Sequence, residues 1–477
     1  MITTKQLIEG PSSNEFVADA SARGQEKFLK PILLGLFIIW TVNFFIKTAL
    51  DKHLSLDGVN YFFHILENRG FVNISWSRRY TEYLTEWPLV LSLLGGITDI
   101  RILIKIFALG IYFPYLVSFL LCWYVTDDKN RSLLLFPLGS LIGFNLLSDY
   151  DLIADHHVLA VMTWPILLLL VKERPLQWIE GILLWILLIA YSRMYETAVL
   201  TALIMTIFSL SRIYLYRIRR EQIINGISIV LLGLVAYISI KYIFDPRSPT
   251  NRGAFLDSIL VNRRNWEALS TNIFLAIICT GWLISSKQQF IKNLVFVSAL
   301  GPIIVYAVSR IVYPEYQPTA YLSFSSRTLI GIIIPGSMVF LGLIVLGKRE
   351  VNWVGLGTFV LGFLVMILFN IYDLRHWNNV RNEFSSIRNS GEMYVAIENT
   401  ALGDSRLDLR HHRWSWNNPL LSLVWAEGCV RTIVLNESDG PQGPFDPQKK
   451  LVLKHYLKFE SSFKAIDSSV EVCRQPN

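Results

Sequence analysis

A carboxylate and a phenol follow the first apolar run of the chain. Asp57 lies in the polar stretch after residues 31–50, and Tyr61 follows four residues later. Residues four apart share one face of a helix, so the two side chains would point the same way. A carboxylate at a membrane surface can accept the proton of a hydroxyl group, which makes Asp57 a candidate general base and Tyr61 a candidate substrate contact. Alternatively, Asp57 is the N-cap of a helix that starts at Gly58.

Three arginines are predicted to lie at the same surface. They are Arg78 and Arg79 in the first long polar loop and Arg327 at the start of a late apolar run. The planar fork of donors on a guanidinium group matches a phosphate, so all three are candidates for binding one. The alternatives are contacts with lipid headgroups and, for Arg327, extension along its span to the interface. Arg193 and Glu196, three apart in YSRMYE, are predicted to pair with each other.

A basic and aromatic cluster stands in the carboxy-terminal part of the chain. The segment RHHRWSWNNP places Trp414 and Trp416 beside basic residues. Indole rings stack on sugar rings or lie among lipid headgroups, which makes both tryptophans candidate substrate contacts. Packing against the membrane domain is the alternative interpretation.

The composition decides which class of protein positions these residues. Of 477 residues, 52% are apolar and 17% are charged, and the mean hydropathy is +0.41. A water-soluble enzyme of several domains needs more polar surface, so that class is excluded. The aromatic content of 13% fits rings at two membrane interfaces. The formal charge of +7 does not indicate nucleic acid, because the basic residues are distributed over short loops between apolar runs.

The apolar runs predict an all-α polytopic membrane protein with about eleven transmembrane helices. They cover residues 31–50, 102–125, 133–147, 158–171, 178–191, 197–210, 223–244, 273–284, 294–312, 328–346 and 353–371. The polar first 30 residues favour a retained first span over a cleaved signal peptide. Several runs within residues 133–191 are shorter than the roughly 20 residues that a crossing helix needs. Either their polar connections dip into a protein-lined cavity, or the run ends are misplaced by a turn.

Basic residues indicate the orientation of the chain. Every second connection carries a group of Lys and Arg residues, for example around Lys129, Lys172 and Arg217. The positive-inside rule therefore predicts a cytoplasmic segment 1–30, a transmembrane domain 31–372 and an extracytoplasmic domain 373–477. The long first loop, 51–101, lies on the same outer side. We expect a bacterial inner (plasma) membrane, with membrane lipids as partners and the active face outside.

The tail is predicted to form a small α+β domain. Its strand-like runs are GEMYVAIE and CVRTIVLN, and residues 449–463 have a helical, amphipathic pattern. Cys429 and Cys473 both lie in this tail, where an oxidising environment would allow a disulfide. Alternatively, the two residues are too far apart to bond.

The first loop and the spans after it resemble the GT-C superfamily of membrane glycosyltransferases. That family has an acidic residue just after the first span, then a Tyr, interfacial helices and a Pro leading to an apolar stretch. Asp57, Tyr61 and Pro88 match this order, and residues 88–97 are predicted to lie in the interface. The segments WPLVLSLLGGITDIRILIKIFALGIYFPYLVSFLLCWY and SSRTLIGIIIPG are similar to the branch of protein mannosyltransferases and lipid A aminoarabinose transferase. The tail has no part in this resemblance.

The second outer loop, SDYDLIADHH, is the predicted place of a second acidic group. Family members often have two adjacent acids where this chain has Asp57 alone. The Asp149-x-Asp151 pattern is similar to that of oligosaccharyltransferase catalytic subunits, which implies Mg²⁺ or Mn²⁺ held by these two carboxylates. Asp155 and His156 are candidate substrate contacts. The alternative is a solvated acidic turn.

The resemblance implies an inverting glycosyltransferase that moves a sugar from a polyprenyl-phosphate donor to a lipid, glycan or protein acceptor. Asp57 would accept the proton of the acceptor hydroxyl, and the three arginines would hold the departing phosphate. Two other functions stay open. A transporter or flippase of lipid-linked glycans would have internally repeated spans. An enzyme like the O-antigen ligases or polymerases would gather its Arg and His in one large late loop.

Overall fold

A computed structural model gives the fold of a large part of the chain. It describes residues 13–55, 57–72, 78–147, 155–244 and 353–387, and in the tail 394–396, 400, 417–425, 429–430, 433–435 and 471–472. The predicted spans 273–284, 294–312 and 328–346 lie outside the described residues, so the predicted total of eleven stays a prediction.

The described chain is mainly helical. In order, its α-helices are α1 (Ser13–Ala49), α2 (Asp57–Asn68), α3 (Arg79–Leu94), α4 (Ile100–Val125), α5 (Leu135–Leu147), α6 (Asp155–Leu170), α7 (Trp178–Tyr191), α8 (Ala198–Leu215), α9 (Arg219–Phe244), α10 (Trp353–Ile387) and α11 (Asn417–Val424). Short 3-10 helices cover Lys52–Leu54 and Asp128–Leu134.

Four of the described helices are long and apolar enough to cross a membrane. They are Phe28–Ala49, Ile100–Val125, Ala198–Leu215 and Arg219–Tyr242. Their outward surfaces carry large exposed apolar side chains, for example Phe45 on α1 and Val230 on α9. Such side chains are stable against lipid, which supports the prediction of a multi-pass membrane protein.

One end of the bundle collects the basic connections that the sequence predicts on the cytoplasmic side. Lys30 pairs with Asp128 at 3.0 Å, and Lys129 pairs with Glu173 at 2.8 Å. Lys172 lies 3.3 Å from Asp127. Because these residues come from separate connections, their pairing places the connections side by side. We call this end the basic end, and the opposite end, which carries α2 and α3, the first-loop end.

Helix lengths differ greatly between the two sides of the bundle. α4 has 26 residues and α7 has 14, and the connections beside them meet at the basic end. At 1.5 Å per residue, α4 extends about 39 Å from that end and α7 only about 21 Å. The connection between α7 and α8 therefore lies about 18 Å below the far end of α4 if both helices follow the bundle axis. That connections of the short spans lie below the interface stays a prediction.

The first loop forms a longer helix than the sequence suggests. Residues 88–97 were expected to be a separate interfacial segment, but α3 starts at Arg79 and continues through Pro88 to Leu94. α3 packs closely along α4 because Gly110 has no side chain there. A methyl group at Gly110 would overlap the Thr85 carbonyl oxygen and lie 3.1 Å from the Pro88 Cδ.

The described parts of the tail contain short parallel strand pairs. β1 (Tyr394–Ala396) pairs with β3 (Ile433–Leu435), and β2 (Cys429–Val430) pairs with β4 (Glu471–Val472). All but β4 lie in the runs predicted as strands. Residues 449–463 and Cys473 are outside the described residues, so the folded tail domain and the disulfide stay predictions. α11 packs against both β3 and α2, which brings the tail to the first-loop end.

Candidate functional site at the first-loop end

The helix α2 carries the predicted base. It begins at Asp57, whose side chain lies outside the described part, and Tyr61 is buried one turn later on the same face. An aspartate at the first position of a helix fits both interpretations of Asp57, a general base and a residue that caps the helix. Phe62 on the same helix contacts Phe107 of α4, with ring centroids 5.5 Å apart, so α2 lies against the upper part of α4.

The chain reaches α2 by a tight turn at the end of α1. Asp51 adopts a left-handed conformation with a φ of 58°. Its carboxylate forms an ion pair with Lys105 and lies 3.6 Å from the Arg381 guanidinium. The last carbonyls of α1 accept hydrogen bonds from other helices: the Lys105 ammonium donates to Thr48, and the Trp377 indole donates to Leu50. These contacts fix where α2 begins.

Arg78 has a carboxylate partner. Its guanidinium donates to both oxygens of Glu196, at 2.8 and 3.3 Å, and lies over the Tyr195 ring at 4.5 Å. The sequence suggested Arg193 as the partner of Glu196, whereas the structure pairs Glu196 with Arg78, and the Arg193 guanidinium lies over the Tyr80 ring at 5.8 Å. A guanidinium already balanced by a carboxylate attracts phosphate less strongly.

Of the neighbours Arg78 and Arg79, Arg79 is better suited to bind a phosphate. It lies over the Tyr83 ring at 5.7 Å, and its buried Nε has no hydrogen-bond partner within the described part of the chain. The first turn of α3 is held by the α7–α8 connection, because Tyr80 N–H donates to the Arg193 carbonyl and Thr81 Oγ1 donates to the Met194 carbonyl. α3 thus contacts the α7–α8 connection at its first turn.

Besides Asp51, five buried ionisable residues at this end were not expected from the sequence. They are Lys47, Lys52, His53, Glu82 and Glu86. We call them the polar cluster. Glu86 accepts a hydrogen bond from the Val72 N–H at 2.8 Å, which ties α3 to the segment after α2. The spacing of the two glutamates, four apart before an apolar run, is the signal that could have identified them.

Contacts with α4 show how far along the bundle axis the residues of this cluster lie. The Phe44 ring of α1 contacts the Tyr112 ring of α4, with centroids 4.3 Å apart. Because the two helices are antiparallel, Lys47, one turn after Phe44, lies at the level of residues 108–109 of α4. Thr85 of α3 lies against Gly110, so Glu86 has nearly the same height. Positions 110 and 112 point about 200° apart on a helix, which puts α1 and α3 on opposite sides of α4.

His53 is neutral in the folded protein. Complete burial and, secondarily, the positive charge of Lys105 lower its pKa to about 3, and a backbone contact at Ile104 opposes this more weakly. Its ring lies edge-on to Phe107, with centroids 5.9 Å apart. His53 therefore adds no positive charge to the cluster at neutral pH.

Several predicted site residues lie outside the described part. They are Asp149, Asp151, Arg327, Trp414 and Trp416. Asp155 and His156 form the start of α6, but their side chains are likewise not described, while the next residue, His157, is buried. Among the described residues no group of three or more His, Cys, Asp or Glu side chains is arranged to hold a metal ion. The predicted metal pair therefore stays a prediction.

Comparisons with known proteins give no match to a family model, to a curated protein or to a solved structure.

Proposed function

We propose that this protein is a membrane glycosyltransferase that takes a sugar from a polyprenyl-phosphate donor at the first-loop end. The observation that carries the proposal is the collection of buried charges on α1, the following turn and α3, beside the helix that begins with Asp57. Intramembrane or interfacial ionisable residues are costly, so they are usually kept for chemistry or binding. The resemblance of the first loop to GT-C enzymes supplies the reaction class.

In this proposal Asp57 accepts the proton of the acceptor hydroxyl. The oxygen then attacks the anomeric carbon while the bond from that carbon to the phosphate oxygen breaks. The configuration inverts because there is a single displacement. The first position of α2 suits this role, because a carboxylate there is stabilised by the helix N-terminus.

The phosphate leaves with negative charge and needs donors. Arg79 supports this role through a guanidinium whose buried Nε has no partner in the described residues. Arg78 is assigned a positioning role, because its pair with Glu196 holds the first turn of α3. Arg327 remains a proposed third donor. Tyr61, Asp155, His156, Trp414 and Trp416 remain proposed substrate contacts.

Divalent metal is an additional proposal. Asp149 and Asp151 would supply oxygen ligands to Mg²⁺ or Mn²⁺, which would neutralise the donor phosphate. Activity measured after removal of divalent ions with EDTA tests this. Unchanged activity would remove both aspartates from the mechanism, whereas recovery after addition of Mn²⁺ would support it.

The experiment that tests the function separates transfer from transport. Purified protein is placed in vesicles with a panel of polyprenyl-phosphate sugars labelled in the sugar, and cleavage and sidedness are both followed. A glycosyltransferase yields free or transferred sugar and polyprenyl phosphate. Movement of intact lipid-linked sugar across the bilayer, with no cleavage of any donor, would instead identify a transporter.

A further inference from the structure

The connection between α8 and α9 carries more positive charge than its own carboxylate balances. Residues 212–222 read RIYLYRIRREQ, with four arginines and one glutamate. That glutamate, Glu221, is already paired with Arg212 at 2.8 Å. The other three arginines form no ion pair within the described part of the chain, and we call them the hairpin arginines: Arg217, Arg219 and Arg220. Arg217 and Arg219 are exposed, and Arg220 is half-buried.

Other exposed cations at the basic end are paired with carboxylates. Lys30 lies 3.0 Å from Asp128, and Lys129 lies 2.8 Å from Glu173. A cation whose charge is balanced by a neighbouring carboxylate attracts a further anion less strongly. Among the described cations of this end, the hairpin arginines are therefore the ones available to an anion from outside the chain.

The shortness of this connection places the hairpin arginines at a membrane surface. The helix segments Ala198–Leu215 and Arg219–Tyr242 are both long and apolar enough to cross a membrane. Only residues 216–218 join α8 to α9. A connection this short between two spans can extend no further than the headgroup region, where the phosphates of lipids lie. The hairpin arginines are therefore at the depth of lipid headgroups.

An exposed apolar face of α9 leads directly to two of these arginines. Its members recur every three or four residues, and we call them the α9 lipid face: Ile223, Ile227, Val230, Leu234 and Tyr237. Arg219 and Arg220 precede Ile223 by four and three positions, so they extend this face by one turn. On α8 the exposed Tyr214 lies under the Arg217 guanidinium, 5.9 Å from the ring centroid. One lipid molecule could thus contact the α9 lipid face with its chain and the arginines with its headgroup.

The inner side of the hairpin is fixed by the α6–α7 connection. The Tyr216 hydroxyl donates to the Glu173 carbonyl, and the Leu176 N–H donates to the Glu221 carboxylate. The Arg212 guanidinium donates to the Arg174 carbonyl at 2.8 Å. These contacts hold the connection without using the hairpin arginines. Binding of an anion there therefore needs little additional ordering of the backbone.

We propose that the α8–α9 hairpin is a binding site for an anionic phospholipid. The lipid phosphate contacts the hairpin arginines, whose planar donors match phosphate oxygens, and an acyl chain lies along the α9 lipid face. Three cations without carboxylate partners favour a headgroup with net negative charge over a zwitterionic one. The site is at the basic end, opposite the first loop, and the inference does not depend on the proposed function.

The test measures binding of phosphatidylglycerol to the full-length protein by native mass spectrometry in a neutral detergent, with phosphatidylcholine as the reference lipid. Each arginine at an anionic headgroup contributes about fivefold in affinity. The double variant Arg217→Gln, Arg219→Gln should therefore bind the first phosphatidylglycerol about thirtyfold more weakly and bind phosphatidylcholine like wild type. The double variant Arg217→Lys, Arg219→Lys keeps both charges and should remain within about fivefold of wild type.

The matched control removes two paired cations from the same end. Lys30→Gln, Lys129→Gln changes the net charge of the protein by the same amount, and we expect its affinity for phosphatidylglycerol to stay within about threefold of wild type. An equal loss in both double glutamine variants would show that overall charge, and not this site, attracts the lipid. Equal affinity of wild type for the two lipids would also overturn the proposal.

A second measurement locates the bound lipid. Phosphatidylglycerol with a photoreactive group in its acyl chain is cross-linked to the protein in phosphatidylcholine nanodiscs, and the modified peptides are identified. We expect adducts concentrated on residues 223–237, and equal labelling of the lipid-exposed surfaces of α1 and α4 would contradict the site. Glycerol phosphate, which has the phosphate and no chain, should not displace the lipid at equal concentration. Displacement would assign the arginines to a soluble anion and overturn the proposal.

Discussion

The two ends of the helix bundle use buried charge in different ways. At the basic end, Arg212 and Glu221 form a buried pair at 2.8 Å, and Lys172 pairs with Glu180 at 2.7 Å. Arg212 also donates to the Leu170 carbonyl at 3.2 Å. Cation and anion come from neighbouring helix ends, so these pairs join α6, α7, α8 and α9.

At the first-loop end the buried charges come from α1, the turn after it and α3, and Asp51 of that turn pairs with Lys105. Lys47 and Lys52 come from α1 and the turn after it, and Glu82 and Glu86 come from α3. Buried oxygens without a hydrogen-bond partner in the described residues occur at both ends: Asn43 Oδ1 and Asn370 Oδ1 here, and Asn225 Oδ1 at the basic end. Buried polar groups that are not mutually satisfied cost stability. The ion pairs of the basic end stabilise the bundle, and under the proposed function the charges of the first-loop end serve a ligand.

The largest expected effect is at the basic end. Arg212→Met leaves Glu221 buried without its ion-pair partner, and breaking such a pair costs about 3 to 5 kcal/mol. Chemical denaturation in detergent should show this loss in the free energy of unfolding. The variant with both Arg212→Met and Glu221→Met should recover much of it. No loss in the single variant would show that this end does not stabilise the fold.

The second largest loss of stability is expected where α3 packs against α4. Gly110→Ala places a methyl group against the Thr85 carbonyl, and overpacking of this kind costs about 2 to 3 kcal/mol. Gly226→Ala on α9 is the matched control, because no atom lies within 4 Å of its added Cβ. We expect the control to be as stable as wild type or slightly more so. Equal stability of both variants would contradict the close approach of α3.

The buried imidazole predicts a pH effect at the first-loop end. The pKa of His53 is about 3 in the folded protein against 6.5 in the unfolded chain, so the unfolded chain binds more protons between these values. The free energy of unfolding should therefore fall as the pH drops below 6.5, by about 3 kcal/mol from this group near pH 4.5. His53→Gln should lack this contribution. Parallel pH profiles for both proteins would refute the assigned burial.

The smallest effect is expected for an exposed pair at the basic end. Lys129 and Glu173 lie 2.8 Å apart, and the lysine side chain is largely exposed. Surface ion pairs contribute little, so Lys129→Gln should change the free energy of unfolding by less than about 0.5 kcal/mol. A loss comparable with that of Arg212→Met would mean that burial is not what distinguishes the pairs at this end.

The sequence predicted the elements better than their contacts. The helical character of the described spans and the start of a helix at Asp57 follow from hydropathy and local pattern. The pair of Arg78 with Glu196 joins residues 118 apart, and no local signal indicates it. Lys47 was overlooked because a lysine at a span end normally extends to the interface, and only packing shows that this one faces inward. Residues 88–97 were predicted as a separate segment because the apolar run begins at Pro88, whereas α3 begins at Arg79.

The most direct measurement is release of labelled sugar from a polyprenyl-phosphate donor by wild type and Asp57→Asn, with the free energy of unfolding measured for both. We expect Asp57→Asn to fold with nearly unchanged stability and to lose at least about a hundredfold in rate, as for removal of a general base. Asn is also a good N-cap, so a purely capping role for Asp57 would leave activity intact. Release at the wild-type rate by a folded Asp57→Asn protein would contradict the account.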